Sequence, residues 1–330
     1  MKPTKSAHRM DVLIPFRNER QNLGFLLKDF KGQQSLSSVN KFIFIDDHSS
    51  DGSGAFVLSD LGELPVELLK TKGEGKKAAL KTGLRSSSEN YVLTLDADVR
   101  LAEFYFDQLG RLPTKETSMV LLPVLPIVKG GLWERYAALD FLSLIGVTFS
   151  SAGWKRPVMA NGANLLQKRE DIEMDDATAS GDDVQNLHRL KGKGASIGWS
   201  LDEALQVRTP MPSAFKELFH QRLRWAAKSS LYRDGDTLLL GWYVLLHQSS
   251  FILLLSIYSY SGQIELLGML LLVKAILDFL FLGIIAVHFK LSELLWVFPL
   301  ALLINVLMYP VIFVASRWGS YSWKDRTYTK

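Results

Sequence analysis

The chain has 330 residues, of which 48% are hydrophobic, and its formal net charge is +4 at neutral pH. It contains no cysteine, which excludes disulfide bonds, thiolate metal ligands and a cysteine nucleophile. The polar stretch from Met1 to Phe16 has no long apolar run, so we predict no cleavable signal peptide.

Strand-like and helix-like segments alternate in the first half of the chain. Short apolar runs predict buried strands, and apolar residues at helical spacing predict the helices between them. This βαβα order predicts an α/β fold with a mainly parallel sheet and helices on both faces. The predicted strands are 12–14, 41–45, 66–69, 91–95 and 119–124, and the helices include 23–30 and 76–86.

Two predicted strands run directly into acidic residues. Asp46 and Asp47 follow the second strand, and Asp96 and Asp98 follow the fourth. Since ligands of parallel sheets collect at the carboxyl ends of strands, we expect these acids at the binding site. The stretch from Gly130 to Arg169 has no pattern that places its strands.

Three long apolar segments dominate the C-terminal third, at 237–260, 264–287 and 291–315. A helix of about 24 residues is roughly 36 Å long, which is enough to cross a bilayer. Lys274 and Asp278 are the charged exceptions, and at a spacing of four they can pair with each other. Binding of a lipid head group is the alternative role for that pair.

Residues 213–230 predict an amphipathic interfacial helix whose apolar side carries Phe215, Leu218, Phe219 and Ala226. We therefore divide the chain into a cytosolic domain (1–212), an interfacial helix and linker (213–236), and a transmembrane region with a short tail (237–330). Basic residues before the first span favour a cytosolic location for that side. Basic residues after the third span conflict with this rule, so the side of the C-terminus stays open. These residues are Lys216, Arg222, Arg224, Lys228 and Arg233 before the first span, and Arg317, Lys324, Arg326 and Lys330 after the third.

A set of motifs in fixed order resembles the family 2 glycosyltransferases, in particular the membrane-attached members. The resemblance runs from about Asp11 to Trp225 and implies a GT-A fold. Its motifs are VLIPFRNE (12–19), IDDHSSDGS (45–53), GKKAALKTGL (75–84), LDAD (95–98), GDD (181–183) and QRLRW (221–225).

The resemblance implies that Asp96 and Asp98 form the family's Asp-x-Asp motif, with Asp98 as the direct metal ligand. Hard carboxylate oxygens suit Mg²⁺ or Mn²⁺, which would stabilise the diphosphate leaving group of a nucleotide-sugar donor. It also implies donor contacts at the first two strand ends and at the Gly-Lys segment. These residues are Pro15, Arg17, Glu19, Asp46, Asp47 and Lys76. Glu19 could instead only start a helix, and Lys76 could be a solvated lysine.

Further residues carry over to the acceptor side of the reaction. Asp183 corresponds to the general base, and Asp182 stands where the family usually has glutamate, so which of the two is the base stays open. Gln221, Arg224 and Trp225 match the Gln-x-x-Arg-Trp motif, in which the tryptophan is a platform for the acceptor and the arginine binds diphosphate. Asn161, Gly162 and Asn164 match the donor-sugar pocket more weakly.

We therefore expect an inverting, metal-dependent glycosyltransferase that moves one sugar from a UDP-sugar to a membrane lipid. A processive polysaccharide synthase is the alternative, and the small number of predicted spans disfavours it. A dehydrogenase is disfavoured because residues 15–19 lack the Gly-x-Gly-x-x-Gly pattern. A catalytically silent scaffold conflicts with the intact acidic motifs. No nucleic-acid partner is expected, and the predicted location is the cell membrane, with the catalytic domain on the cytosolic side.

Overall fold

The computed structural model describes residues 8–112, 116–174, 182–229, 232–261, 264–318, 321–323 and 326–328. The chain forms two compact units, Met1–Leu125 with Ser151–Pro210, and Pro126–Ser150 with Met211–Lys330. The sequence-based division placed 126–150 in the first domain, whereas in the structure this segment packs within the second unit. The functional boundaries at 212 and 236 stay a prediction.

The secondary structure follows the alternating order expected from the sequence. The strands are β1 Met10–Phe16, β2 Val39–Asp46, β3 Val66–Lys70, β4 Tyr91–Leu95, β5 Arg100–Leu101, β6 Thr117–Leu121, β7 Val124–Ile127, β8 Asn164–Lys168, β9 Ser196–Trp199, β10 Val207–Pro210, β11 Tyr321–Trp323 and β12 Arg326–Tyr328. The helices are α1 Arg20–Lys31, α2 Ser53–Ser59, α3 Gly75–Ser86, α4 Tyr105–Leu109, α5 Leu132–Gly153, α6 Asp182–Gly192, α7 Phe215–Lys228, α8 Gly235–Ser261, α9 Ile264–His288 and α10 Phe298–Trp318. Short 3₁₀ helices occur at Arg169–Asp171, Glu203–Leu205 and Ser292–Val297.

The first unit is built on a seven-stranded sheet in the order β3-β2-β1-β4-β8-β6-β9. Strand β1 is parallel to both β2 and β4, and β8 runs antiparallel between β4 and β6. The prediction of a mainly parallel sheet with flanking helices is therefore confirmed. The predicted fifth strand is two strands, β6 and β7, because Pro123 between them has no N–H to donate to a ladder.

Apolar residues from the strands and helices fill the core of the first unit. Phe30 of α1 stacks on Phe42 of β2 with ring centroids 4.2 Å apart. On the other face, α3 lies very close to the sheet at Gly83. A Cβ there would approach Ile45 Cδ1 to 2.9 Å and Leu13 Cδ2 to 3.0 Å. A larger residue there would have to displace these two side chains, so glycine suits this approach, which brings the N-terminus of α3 to the ends of the strands.

A buried carboxylate fastens the other end of α3. Asp11 is fully buried, and its Oδ2 accepts hydrogen bonds from Ser87 Oγ at 2.8 Å, Ser88 N at 2.7 Å and Glu89 N at 3.0 Å. Its Oδ1 accepts one from Asn40 Nδ2 at 2.9 Å. Burial acts to raise the pKa of the Asp11 carboxyl, but these hydrogen bonds outweigh it and the pKa is lowered.

The second unit contains long apolar helices. Four helices among the described residues are long and apolar enough to cross a membrane: Leu132–Gly153, Gly235–Tyr258, Glu265–His288 and Ser292–Arg317. The last three correspond to the segments expected from the sequence. The first is α5, which lies in the stretch where the sequence showed no regular pattern.

Two close contacts join helices of this unit. A Cβ on Gly146 of α5 would lie only 1.9 Å from Ile285 Cδ1 of α9, so these helices meet where α5 has no side chain. Lys274 and Asp278 form an ion pair along α9, which confirms the pairing expected from their spacing. The Lys274 ammonium also lies 5.4 Å from the centroid of the Phe251 ring of α8.

Replacing Asp11 should weaken the first unit in a pH-dependent way. In Asp11→Asn an amide NH₂ would face donors, so we expect a loss of about 1–3 kcal/mol at neutral pH, measured by thermal and denaturant unfolding. Because folding lowers the pKa of Asp11, its carboxylate stabilises the fold at pH values above the unfolded pKa of about 3.9. This stabilisation is lost as the pH falls through the folded pKa. The difference in the free energy of unfolding between the wild type and Asp11→Asn should therefore become smaller in acid.

Asp60→Asn is the matched control for this measurement. Asp60 pairs with Lys31 on the surface, with 43% of its side chain exposed, so its replacement should change stability by much less. Equal losses in the two variants, or a difference that does not narrow with falling pH, would contradict the role given to Asp11.

Candidate active site

The parallel sheet brings several strand ends to one edge. Phe16 at the end of β1 pairs with Asp46 at the end of β2. Leu95 at the end of β4 pairs with Asn164, the first residue of the antiparallel strand β8. The chain therefore leaves β1, β2 and β4 at the same edge of the sheet. It enters β8 at this edge too.

Asp46 and Asp47 lie at this edge and are almost fully buried. Asp46 Oδ1 accepts a hydrogen bond from Ser49 N at 2.8 Å, which closes the turn after β2. Both carboxylate oxygens of Asp47 lie 3.1 Å from Gly75 N, at the start of α3. A carboxylate is favourable at a helix N-terminus, so Asp47 holds α3 in place. Their predicted contacts with a nucleoside stay a prediction.

The residues predicted at the end of β1 also contact this edge. Pro15 pairs with Ile45 within the sheet. Arg17 Nη1 donates to Asp47 O at 3.1 Å and so ties the ends of β1 and β2 together. Glu19 precedes α1, and its Oε2 accepts a hydrogen bond from Asn22 Nδ2 at 2.6 Å. These contacts place the three residues beside the candidate site, and their contact with a donor stays a prediction.

A lysine lies among the acidic residues. Lys76, the second residue of α3, forms an ion pair with Asp96, and both side chains are about one-third exposed. Burial alone would lower the pKa of Lys76, but the carboxylates of Asp96, Asp183 and Asp98 outweigh it and raise the pKa. Lys76 is therefore a cation at neutral pH; it contacts Asp96 directly, and Asp98 and Asp183 are near enough to act on its charge.

The predicted base is held by a loop backbone. Asp183 Oδ2 accepts a hydrogen bond from Gly162 N at 2.9 Å, and its Oδ1 accepts one from Val184 N at 2.9 Å. Gly162 lies in the segment just before β8, so this contact brings Asp183 to the same edge as Asp96. Asp182 begins α6, but its side chain and Gly181 lie outside the described residues.

Asn164, which weakly matches the family's donor-sugar pocket, lies inside the first unit. It is fully buried, and its Nδ2 donates to Pro123 O at 2.9 Å and Leu205 O at 3.0 Å. The Tyr105 hydroxyl donates to its Oδ1. Asn164 thus fixes the start of β8 and supports the loop that carries Gly162. Strand pairing decides its location, and no local pattern in the sequence indicates it.

The Gln-x-x-Arg-Trp residues lie on α7 in the second unit. Gln221, Arg224 and Trp225 are each half-buried. The buried side of α7 differs from the predicted apolar side, because Phe215 is exposed and a charged residue is buried. The buried residues are Leu218, Arg222, Leu223 and Ala227. The motif's predicted roles stay predictions.

Within the parts of the chain that the structure describes, no group of three or more histidine, aspartate or glutamate side chains is arranged to hold a metal ion. Any ion at the Asp96 and Asp98 carboxylates would need further oxygen ligands from a bound molecule or water. The ammonium group of Lys76 on Asp96 indicates that a cation is favourable there.

Two family models match the chain. The model described as glycosyl transferase family 2 matches residues 11–145, and the model described as glycosyl transferase family group 2 matches residues 91–315, more than half of the chain.

Curated relatives match only part of the chain. The undecaprenyl-phosphate 4-deoxy-4-formamido-L-arabinose transferase of Enterobacter sp. (strain 638) is 30% identical over 105 residues, 30% of this chain and 32% of the relative. The protein of the same name from Serratia proteamaculans (strain 568) is 30% identical over 126 residues, 33% of this chain and 38% of the relative. The matched region thus spans about a third of the length of these relatives.

A solved structure matches almost the whole chain. The mannosyltransferase PcManGT from Pyrobaculum calidifontis, in complex with GDP-Man and Mn²⁺, is 18% identical with a TM-score of 0.56. The match covers 92% of this chain and 89% of that chain. At this identity the likeness concerns the fold alone, which is of the GT-A type.

Replacing Gly75 should disturb the start of α3. Gly75 has φ of +90°, so alanine there should cost about 1–2 kcal/mol and move the N–H away from Asp47. Gly192→Ala is the control, because a Cβ there meets nothing within 4 Å and φ is not positive. Thermal unfolding of both variants measures the difference. Equal stability of Gly75→Ala and wild type would contradict this account.

Proposed function

The chain belongs to the family 2 glycosyltransferases, and we propose that it transfers one sugar from a UDP-sugar to a membrane lipid with inversion at the anomeric carbon. The observation that carries this proposal is the sheet edge where Lys76 pairs with Asp96 and where Gly162 N, just before β8, holds Asp183. Asp98 follows Asp96 in the same segment after β4. A nucleotide sugar needs a cation at its diphosphate and a carboxylate at the attacking oxygen, and this edge offers residues for both.

Asp96 and Asp98 suit a divalent cation, Mg²⁺ or Mn²⁺. They are hard oxygen ligands, and among the described residues too few carboxylates meet there for a closed shell, which would leave positions for diphosphate oxygens. When bound, the ion would neutralise negative charge on the leaving diphosphate. The Mn²⁺ in the Pyrobaculum calidifontis mannosyltransferase complex supports this assignment.

Asp183 is the proposed general base. The acceptor oxygen attacks the anomeric carbon, its proton passes to the Asp183 carboxylate, and the bond from that carbon to the diphosphate oxygen breaks. The nucleoside diphosphate then leaves, and a single displacement inverts the configuration. Gly162 N and Val184 N hold the carboxylate and fix its direction. Asp182, the preceding residue of the motif, begins the same helix.

The proposed donor-side residues lie at the ends of β1 and β2 and at the start of α3. They are Pro15, Arg17, Glu19, Asp46, Asp47 and Lys76. Lys76 stays protonated, so it can contact a phosphate oxygen of the donor. The buried carboxylates of Asp46 and Asp47 can accept hydrogen bonds from the base or ribose, and buried polar pairings of this kind discriminate strongly between nucleotides.

The acceptor is proposed to be a lipid because the catalytic residues share a chain with long apolar helices. The curated relatives are named for transfer to undecaprenyl phosphate, which supports a lipid acceptor. Trp225 would provide a flat surface for the acceptor, with Arg224 and Gln221 contacting the diphosphate side. The proposed location is the cell membrane, with the first unit on the cytosolic side.

The proposal is tested with membranes that contain the chain and a panel of radiolabelled UDP- and GDP-sugars, with EDTA or with added Mn²⁺. We expect metal-dependent label from a UDP-sugar in a small, organic-extractable lipid. Mild acid then distinguishes a lipid phosphodiester, which releases the sugar, from a glycoside of a lipid hydroxyl. Label in insoluble polymer would indicate a processive synthase, and a GDP-sugar product would correct the nucleotide.

Variants of the two carboxylates sharpen this test. Asp183→Asn should lower kcat by about 10²–10⁴-fold, because the proton has no acceptor. Asp98→Asn should lower activity and weaken the response to Mn²⁺. Asp107→Asn, which loses only an exposed pair with Arg111, is the control and should keep full activity. Unchanged turnover in Asp98→Asn and Asp183→Asn would refute the mechanism.

The absence of native cysteine allows a direct test of sidedness. Glu63→Cys places a thiol on the exposed surface of the first unit, and Tyr260→Cys places one at the end of α8, where the side chain is 97% exposed. In intact cells, an impermeant maleimide should label position 260 directly and position 63 only after lysis. Labelling of both before lysis would contradict a cytosolic first unit.

A further inference from the structure

A buried ion pair joins three helices of the second unit. Arg222 on α7 donates from Nε to Asp140 Oδ2 on α5 at 2.6 Å. The Tyr309 hydroxyl on α10 donates to Asp140 Oδ1 at 2.8 Å. The side chains of Arg222 and Asp140 are only 7% and 1% exposed. The sequence places Arg222 among basic residues before the first span, yet in the structure its charge is inside the unit.

This arrangement is a costly way to hold helices together. Removing two charges from water costs several kcal/mol per ion, which is why apolar residues of similar volume often stabilise a protein as well or better. In addition, Arg222 Nη1 is buried without a hydrogen-bond partner among the described residues. An unsatisfied buried donor is a further cost. Stability alone therefore does not explain an arginine at this position.

The arginine does hold an aromatic ring. The Arg222 guanidinium carbon lies 4.4 Å from the centroid of the Trp225 ring, three residues further along the same helix face. Phe141, next to Asp140 on α5, lies 6.2 Å from Trp225 between ring centroids. Two neighbouring residues of α5 therefore act on Trp225. Asp140 fixes the guanidinium of Arg222, and Phe141 contacts the Trp225 ring.

The chemistry of the guanidinium suits this task. It is planar and donates in a fixed fork, so Asp140 on one side fixes the plane of the group that meets the indole. A lysine would keep the charge but has neither the plane nor the fork. The Tyr309 hydrogen bond in turn fixes Asp140, so the orientation of the Trp225 ring depends on a chain of three side chains.

We propose that Arg222 and Asp140 are positioning residues that set the orientation of the Trp225 ring for the acceptor. The inference rests on the proposed function, in which Trp225 is the acceptor platform. Neither residue is taken to touch substrate; both act through the tryptophan.

A double-mutant cycle in the full-length protein, reconstituted in nanodiscs, tests this coupling. Arg222→Lys should lower kcat for transfer by about tenfold and leave the donor KM unchanged, whereas in a Trp225→Ala background it should change kcat by less than about twofold. A purely structural arginine would cost the same factor in both backgrounds, and that result would overturn the proposal. A full-activity Trp225→Ala variant would instead refute the platform role in the proposed function.

A second measurement does not depend on activity. With 5-fluorotryptophan incorporated, the ¹⁹F resonance of Trp225 is identified by its loss in Trp225→Phe. Arg222→Lys and the milder Tyr309→Phe should each shift or broaden this resonance. Arg135→Lys is the matched control, because Arg135 lies 5.9 Å from the Trp296 ring and should move only that resonance.

The fluorine spectra separate the possible outcomes. An unmoved Trp225 resonance in both Arg222→Lys and Tyr309→Phe would refute the proposal, whatever the activity. If Arg222→Lys fails to fold, Tyr309→Phe alone decides, since it leaves the ion pair in place and removes only the hydroxyl that fixes Asp140.

Discussion

The parallel pairing of β1 with β2 and β4 is the constraint on which the candidate site depends. It sends the residues after three strands out at one edge and so concentrates acidic side chains there. Such a group of like charges is unfavourable unless a cation lies among them. Lys76 supplies part of that charge, and its raised pKa reflects the carboxylates around it. The same excess of negative charge supports the proposed divalent cation at this edge.

Helix α3 fixes the position of Lys76 relative to the acidic side chains. Its C-terminal end is fastened through Asp11, its middle lies against the sheet at Gly83, and its N-terminus is held by Asp47. Three independent contacts therefore determine where Lys76 lies. Asp11 and Gly83 do not need to touch a substrate, so the support for the site is distributed along the whole helix.

Much of the first unit is predictable from the sequence, because its strands are short apolar runs and its acids follow them directly. The positions of Asp46 and Asp96 at one edge follow from strand order alone. The hydrogen bond from Gly162 to Asp183 and the burial of Asn164 are not predictable, since both depend on an antiparallel strand that enters the sheet out of sequence order.

The sequence pattern does not predict helix α5, for a different physical reason. Glu134, Arg135 and Asp140 interrupt its apolar sequence, so it lacks the uniform character of α8, α9 and α10. The charge at Asp140 is compensated by Arg222 from a helix far along the chain, and one sequence does not show such a pairing. For the same reason, the buried side of α7 could not be assigned from apolar spacing alone.

With α8 and α9 as membrane spans, as proposed, the pairing of Lys274 with Asp278 has a consequence for how the helices enter a bilayer. A lone charge at the centre of a spanning helix costs about 2.5–3.5 kcal/mol on insertion scales. In α9 that cost is reduced by the neighbouring carboxylate and by the Phe251 ring of α8 against the ammonium group. The second helix is thus least costly to insert when the first is already beside it, which favours entry of α8 and α9 as one hairpin during biosynthesis.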